Sequence, residues 1–248
     1  MSKWFGGLPA LQEVSFCIDP GRITALIGPN GAGKSTLINC ISGVDRVDAG
    51  RILLEERAID SLPAHDIAAL GVARTFQNLK LFSRLSVLDN VLAGLTVAAE
   101  RSFVVAMLRP PSLRHQERQF RLRALEALDE FSLAQQAHWP ASALSYGEKK
   151  RVEMARAFVG NPRLVLLDEP VAGLNTEETA GIARQIRRQR NLGHTMLLIE
   201  HDMELVMSVA DHVVVLDSGR CIACGSPEAI CSNPLVLEAY LGRMAETA

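Results

Sequence analysis

The chain has 248 residues, 48% of them hydrophobic, enough for one large or two small domains with a proper core. Its net charge of −2, with both signs interspersed, lacks the basic excess that marks most nucleic-acid binders, so no nucleic-acid partner is expected. Five cysteines in a chain this size make no disulfide framework. No apolar signal core follows Met1, and no run approaches the roughly 18 apolar residues that span a bilayer, so a cytoplasmic chain is expected.

In chain order, the first strand-like run is RITALIG (22–28), and three more follow: RLVLLDE (163–169), TMLLIEH (195–201) and HVVVLDSG (212–219). Three of the four are continuous rather than alternating, which suits strands covered on both faces of an α/β sheet. Helical stretches follow, STLINCISG (35–43) after the first and MELVMSVA (203–210) after the third. Strand, loop, helix is the recurring unit.

Between the first strand and its helix lies GPNGAGKST, which satisfies the pattern G-x-x-x-x-G-K-[ST] in the flanking context that the pattern requires. Glycines 28, 31 and 33 let successive backbone N–H groups face phosphates, and the following helix adds its positive end. Gly28, Pro29, Asn30, Gly31, Ala32, Gly33, Lys34, Ser35 and Thr36 are therefore assigned to the phosphates of a nucleotide. Lys34 is expected to reach the β- and γ-phosphates, Ser35 to offer its hydroxyl to Mg²⁺, and Thr36 to help with the α-phosphate.

Gln77, in ARTFQNLKLF, is unremarkable by itself. From about residue 85 to 158 the sequence turns helical and reads as an inserted helical subdomain. Residues 1–84 and 159–235 then make the core, and 236–248 a C-terminal tail. The insert carries Arg101, Arg109, Arg114, Arg118, Arg121 and Arg123, either a solvated helix face or a contact for a partner or lipid headgroups.

LSYGEKKRVEMARA (144–157) opens with Ser145 and Glu148 at capping-box spacing. Val152, Ala155 and Val159 give its buried stripe, and Gly160-Asn161-Pro162 stops it. Two acids, Asp168 and Glu169, end the strand of RLVLLDEP, where α/β sheets present ligands. An Asp there can hold Mg²⁺ through water, and the neighbouring Glu can orient or deprotonate water. His201 ends another strand, a place where histidine is more often a satisfied hydrogen-bonder than a catalyst. Cys221 and Cys224 have C-x-x-C spacing on what reads as a hairpin strand, where residues three apart face opposite sides and do not pinch one ion.

Taken in this order, the phosphate loop, Gln77, LSYGE, LLDEP, GLN (173–175) and His201 resemble the ATP-binding-cassette (ABC) ATPases across essentially the whole chain, Phe5 to Leu241. The resemblance implies an α/β fold: a P-loop NTPase (RecA-like) core, an inserted α-helical signature subdomain and a small N-terminal antiparallel β part. In that family two cassettes meet head to tail, and the signature turn of one closes over ATP held by the other. LSYGE is similar to the family's LSGGQ, with Tyr146 replacing a glycine and Glu148 the glutamine. Ser145, Tyr146, Gly147 and Glu148 would then serve the partner's nucleotide.

By the same resemblance Glu169 is the general base, His201 contacts the γ-phosphate, and Gln77 binds Mg²⁺ and the attacking water while sensing a membrane partner. Asp168 joins Ser35 and Gln77 as a metal residue. The turn Ala172 to Asn175 would cross the dimer interface, with Asn175 where many members have Asp. The aromatic that stacks on adenine would be Phe5, with Trp4 the alternative. The strand that usually precedes it is expected to be absent, because Met1 lies only a few residues upstream, leaving a truncated start or weakened stacking.

FGGLPAL, ARTFQNLKLFSRLSVLDNV and the YGE-plus-AGLN combination resemble the ATPases of bacterial branched-chain amino-acid uptake, in particular the larger of the two that pair there. The partners implied are two transmembrane permease subunits, a second homologous ATPase or a second copy, and, indirectly, an external solute-binding protein. The cassette would sit peripherally on the cytoplasmic face of the inner (plasma) membrane. An ABC ATPase exporting lipid or lipopolysaccharide shares almost all these motifs. One acting on ribosomes or DNA usually has two cassettes in one chain or a long coiled coil, and neither is present.

Overall fold

The four apolar runs lie side by side in one sheet. A computed structural model describes residues 1–77, 79–95 and 111–246. Two short strands, β1 (Lys3–Phe5) and β2 (Leu8–Leu11), form an antiparallel hairpin ahead of β3 (Ile23–Ile27) and helix α1 (Lys34–Ile41). A second ribbon pairs β4 (Leu53–Leu54) with β5 (Arg57–Ala58), and α2 (Ala64–Ala69) leads to β6 (Val72–Arg74). Among the described residues the helices α3 (Val87–Leu92), α4 (Pro111–Glu130) and α5 (Tyr146–Phe158) follow. The chain continues through β7 (Leu164–Asp168), α6 (Thr176–Asn191), β8 (Met196–Ile199) and α7 (Met203–Val209). It ends with β9 (His212–Asp217), β10 (Arg220–Gly225), α8 (Pro227–Cys231) and α9 (Pro234–Glu246).

The main sheet has the order β10-β9-β3-β8-β7-β6, parallel except where β10 runs antiparallel to β9. Every residue of β3, β7 and β8 is buried, because each face of the sheet has its own apolar layer. Alternate residues divide between them: Val165 and Leu167 join one cluster, Leu164 and Leu166 the other. The continuous apolar runs have this cause. Leu37 and Ile38 of α1 belong to the second layer, while Val91, Leu128, Phe131, Val152 and Phe158 from the helical stretch share the first with Met196 and Leu198 of β8. The helical stretch thus packs on the sheet through a common core. Arg118, Arg121 and Arg123 are exposed on α4, away from buried Ala124, Ala127 and Leu128. Arg101 and Arg109 lie outside the described residues.

One expectation is corrected. The strand thought missing around Phe5 is present: Lys3–Phe5 pairs with β2, and Ser2 bridges Ala49. Gly6 and Gly7, both with positive φ, make the two-residue turn between Phe5 and Leu8. Main-chain pairing builds this strand rather than alternating side chains, so a periodicity reading passes over it. Cys221 packs against the second apolar layer, whereas Cys224 is exposed. No described helix is long and apolar enough to cross a membrane.

Candidate functional site

The phosphate loop joins the buried end of β3 to α1, and three of its glycines are needed as glycines. Gly28 (φ 147°), Gly31 (φ 80°) and Gly33 (φ 102°) lie in the left-handed half of backbone space. A Cβ on Gly28 would stand 2.0 Å from the Leu216 carbonyl oxygen, and one on Gly33 2.7 Å from that of Ala10. The loop is therefore pressed between the end of β9 and the end of β2. Gly33 caps α1 without a side chain, and no acid occupies the helix's first turn. The N–H groups there keep their capacity for an anion, and the arrangement fits a polyphosphate. Lys34 is buried and folds back over the loop, donating to Gly28 O at 2.7 Å and Pro29 O at 3.0 Å. Ser35 and Asn30 are exposed, and Thr36 is half-buried.

At the end of β7, Asp168 is buried and accepts a 3.0 Å bond from Arg74 Nη2, while its N–H donates to Thr75 Oγ1. Arg74 also donates to Asn39 Oδ1 and Ser42 Oγ, tying α1 to the strand end. Glu169 sits at φ 47°, a conformation costly for a residue with a Cβ. Its Oε2 accepts from Gln77 Nε2 at 2.9 Å, and its Oε1 lies 4.0 Å from His201 Nδ1. The fold thus brings Gln77, Glu169 and His201 together from three separate segments. Beneath them Glu200 is fully buried, its carboxylate accepting from the N–H groups of Val171 and His201. Burial pushes the Glu200 carboxyl above the usual carboxylate range.

Ser145 caps α5 with the reciprocal bonds of a capping box, accepting from Glu148 N–H and donating its own N–H to Glu148 Oε2 at 2.8 Å. Gly147 is buried because the Glu178 carboxylate occupies the space a side chain would need, 2.6 Å from a Cβ placed there. Tyr146 lays its ring against Gly173, whose Cβ would meet Tyr146 Cε1 at 3.3 Å. The tyrosine of LSYGE thus packs on the AGLN turn. Asn175 caps α6, its Oδ1 accepting from Glu178 N–H at 2.9 Å, a bond an aspartate would make equally well. Phe5 is half-exposed beside its turn, with Lys3 Nζ 5.2 Å from the ring centroid, and Trp4 is also exposed.

Sequence reasoning missed Arg74, Thr75, Lys150 and Glu200. Lys150 alone carried a signal: Gly147, Lys150, Met154 and Phe158 fall at helical spacing on a buried row. Arg74 and Thr75 bond Asp168 more than 90 residues away and Glu200 bonds Val171 29 residues away, so local pattern says nothing about them.

Residues 11–172 match the family described as ABC transporter. The chain belongs to the ABC transporter ATP-binding family. A further match, to the family described as branched-chain amino acid ATP-binding cassette transporter, covers residues 220–246. The cassette is 41% identical over 241 residues to the high-affinity branched-chain amino acid transport ATP-binding protein BraF of Pseudomonas aeruginosa, covering 96% of this chain and 94% of that one. It is 41% identical over 239 residues to the corresponding LivG of Escherichia coli, with the same coverage. Among solved structures it superimposes on a nucleotide-free ATP-binding cassette from an ABC transporter with a TM-score of 0.83. That pair is 32% identical and covers 96% of this chain and 95% of the other. The ADP conformation of an ABC transporter cassette gives a TM-score of 0.84 at 32% identity, covering 97% and 96%. The fold is that of an ABC cassette, and the protein is a nucleotide-binding transport ATPase.

Proposed function

We propose that this cassette hydrolyses ATP to power uptake of branched-chain or similar hydrophobic amino acids through a membrane permease. The observation that carries the chemistry is the meeting of Gln77, Glu169 and His201 at the strand ends. The cargo class rests on the relatives named above and on the match of residues 220–246.

Bound ATP with Mg²⁺ supplies an activated γ-phosphoryl group and the charge that steadies it. The residues of this chain do the rest. Gly28–Thr36 hold the phosphates, with Lys34 exchanging the Gly28 and Pro29 carbonyls for phosphate oxygens. Ser35, Gln77 and Asp168 are the residues that would hold Mg²⁺. Phe5 stacks on the adenine. Glu169 takes the proton from the attacking water, Gln77 orients that water, and His201 faces the γ-phosphate. Ser145, Tyr146, Gly147 and Glu148 of a second cassette close the site, the N-terminus of α5 favouring negative charge.

The second cassette is a homologous ATPase or another copy of this chain. Cytoplasmic helices of the two transmembrane permease subunits dock near residues 77–90, where Phe76, Phe82, Val44 and Leu95 line a groove of ≈720 Å³ flanked by Lys80, Arg123 and Arg156. Asn90 fixes that rim, accepting from Phe82 N–H and donating to the carbonyls of Phe82 and Ser86. The assembly holds the cassette at the cytoplasmic face of the membrane, with an external solute-binding protein delivering the cargo. A native pull-down from membranes tests the reading. Permeases of the branched-chain type should accompany the cassette, and recovery with no permease contradicts it.

A further inference from the structure

We propose that Lys150 is the positioning residue that locks the signature helix to the water-activating pair, Gln77 and Glu169. The inference rests on the assignment of Glu169 as the base and adds the part that links it to α5.

Lys150 is 2% exposed, an unusual place for an ammonium group. Such burial is tolerated only when the charge is hydrogen-bonded and compensated. Both conditions are met. Its Nζ donates to the Glu169 carbonyl at 3.2 Å and the Gln77 carbonyl at 3.4 Å. Glu153, Glu200, Glu169 and Asp168 supply the opposing charge.

The two acceptors belong to the very residues whose side chains meet at 2.9 Å. One side chain therefore fixes the spacing of the pair from behind, through the backbone. Glu169 needs such support. A residue at φ 47° keeps that conformation only when its surroundings over-determine it, and here its N–H donates to Ile199 O while its carbonyl accepts from Lys150.

The same lysine sits one helical turn beyond Tyr146, with Nζ 6.0 Å from the tyrosine ring centroid. That ring rests on Gly173 of the 172–175 turn. A shift of the first turn of α5, as the signature closes on a second cassette's nucleotide, is thus carried by Lys150 to this chain's own carboxylate.

The test uses the purified chain with Mg-ATP and the variants Lys150→Met, Lys150→Arg and Glu169→Gln. Lys150→Met should lower kcat about ten- to a hundredfold, because the base and its water are misplaced, while KM stays within about twofold. Lys150→Arg keeps a donor and should recover most of the turnover. In the nucleotide-free chain, Lys150→Met should speed amide hydrogen exchange in the peptides holding Gln77 and Glu169 and leave those of β3 and β9 unchanged. Wild-type kcat with unchanged exchange overturns the proposal, as does faster exchange spread evenly over the molecule. If Lys150→Met fails to fold, Lys150→Leu, which likewise has no donor, replaces it. Turnover equal to that of Lys150→Arg would then count against the proposal, and turnover well below it would support it. Should Glu169→Gln retain turnover, the base assignment falls, while the exchange data still judge the lysine contact.

Discussion

Glu169 presents its carboxylate from a strained backbone, with Gln77 on one oxygen and His201 near the other. Replacing it by glutamine keeps the shape and the phosphate cradle but removes the base. Glu169→Gln should therefore bind ATP normally, lose turnover by about a hundredfold or more, and accumulate an ATP-stabilised dimer visible by light scattering. Turnover near wild-type would show that another group takes the proton. At this scale the sequence was most legible where chemistry is local. The phosphate loop announces itself because glycine spacing, lysine and hydroxyl all lie within nine consecutive residues. Arg74 was not legible, since its partner Asp168 is 94 residues away and only the β6–β7 pairing brings the two together. Lys150 was legible only through its place on the buried row of its helix, because the carbonyls it bonds belong to residues 73 and 19 positions away.

Helix α5 carries the signature turn, and its start is built from two reciprocal bonds between Ser145 and Glu148. Ser145→Ala removes one of them, which typically costs about 1 kcal/mol. For a chain of this size that should lower Tm by about 2–4 °C in a nucleotide-free melt. An unchanged Tm would mean that the helix start is held by packing alone. The far end of α5 gives a pH handle. Phe158 meets the His194 ring edge-on at 5.1 Å, and burial holds the His194 pKa below its ordinary value of 6.5. The unfolded chain then binds a proton that the folded chain refuses, so the contribution of this group is full above 6.5 and is lost as pH falls from there toward the lower folded value. Buried Glu153 and Glu200, whose pKa values are raised, act in the opposite direction, favouring the fold as pH falls. The comparison must therefore be with His194→Gln. Relative to wild type, that variant should gain in Tm on going from pH 7.5 to pH 5.5, and a constant difference between the two would refute the assignment. Elements with strong periodicity or a motif were readable in advance. Strand β1 was not, because three residues held by backbone bonds leave no pattern beyond the Gly6-Gly7 turn.

For the whole molecule, the parallel sheet gathers the strand ends on which Asp168, Glu169 and His201 sit, and the helical stretch shares one apolar layer with that sheet. The groove around Phe82 lies between the helical stretch and the α2–β6 segment, next to Gln77 in sequence. Phe82 is exposed and makes no part of the proposed nucleotide site, so Phe82→Ala should cut transport several-fold while basal ATPase activity stays near wild type. Equal loss of both activities would count against docking there. The chain order of motifs revealed the architecture because each motif marks a strand or helix end. It did not reveal why tyrosine stands in LSYGE. The ring's contact with Gly173 is one that only the folded chain makes.

The central claim is that hydrolysis by this cassette drives import of branched-chain-type amino acids. Its most direct test is uptake of radiolabelled leucine by cells whose own copy of the gene is deleted, complemented with the wild-type chain or with Glu169→Gln. The account predicts that deletion lowers high-affinity uptake, that the wild-type chain restores it and that Glu169→Gln does not. Uptake indifferent to the deletion, or restored in full by Glu169→Gln, would contradict it.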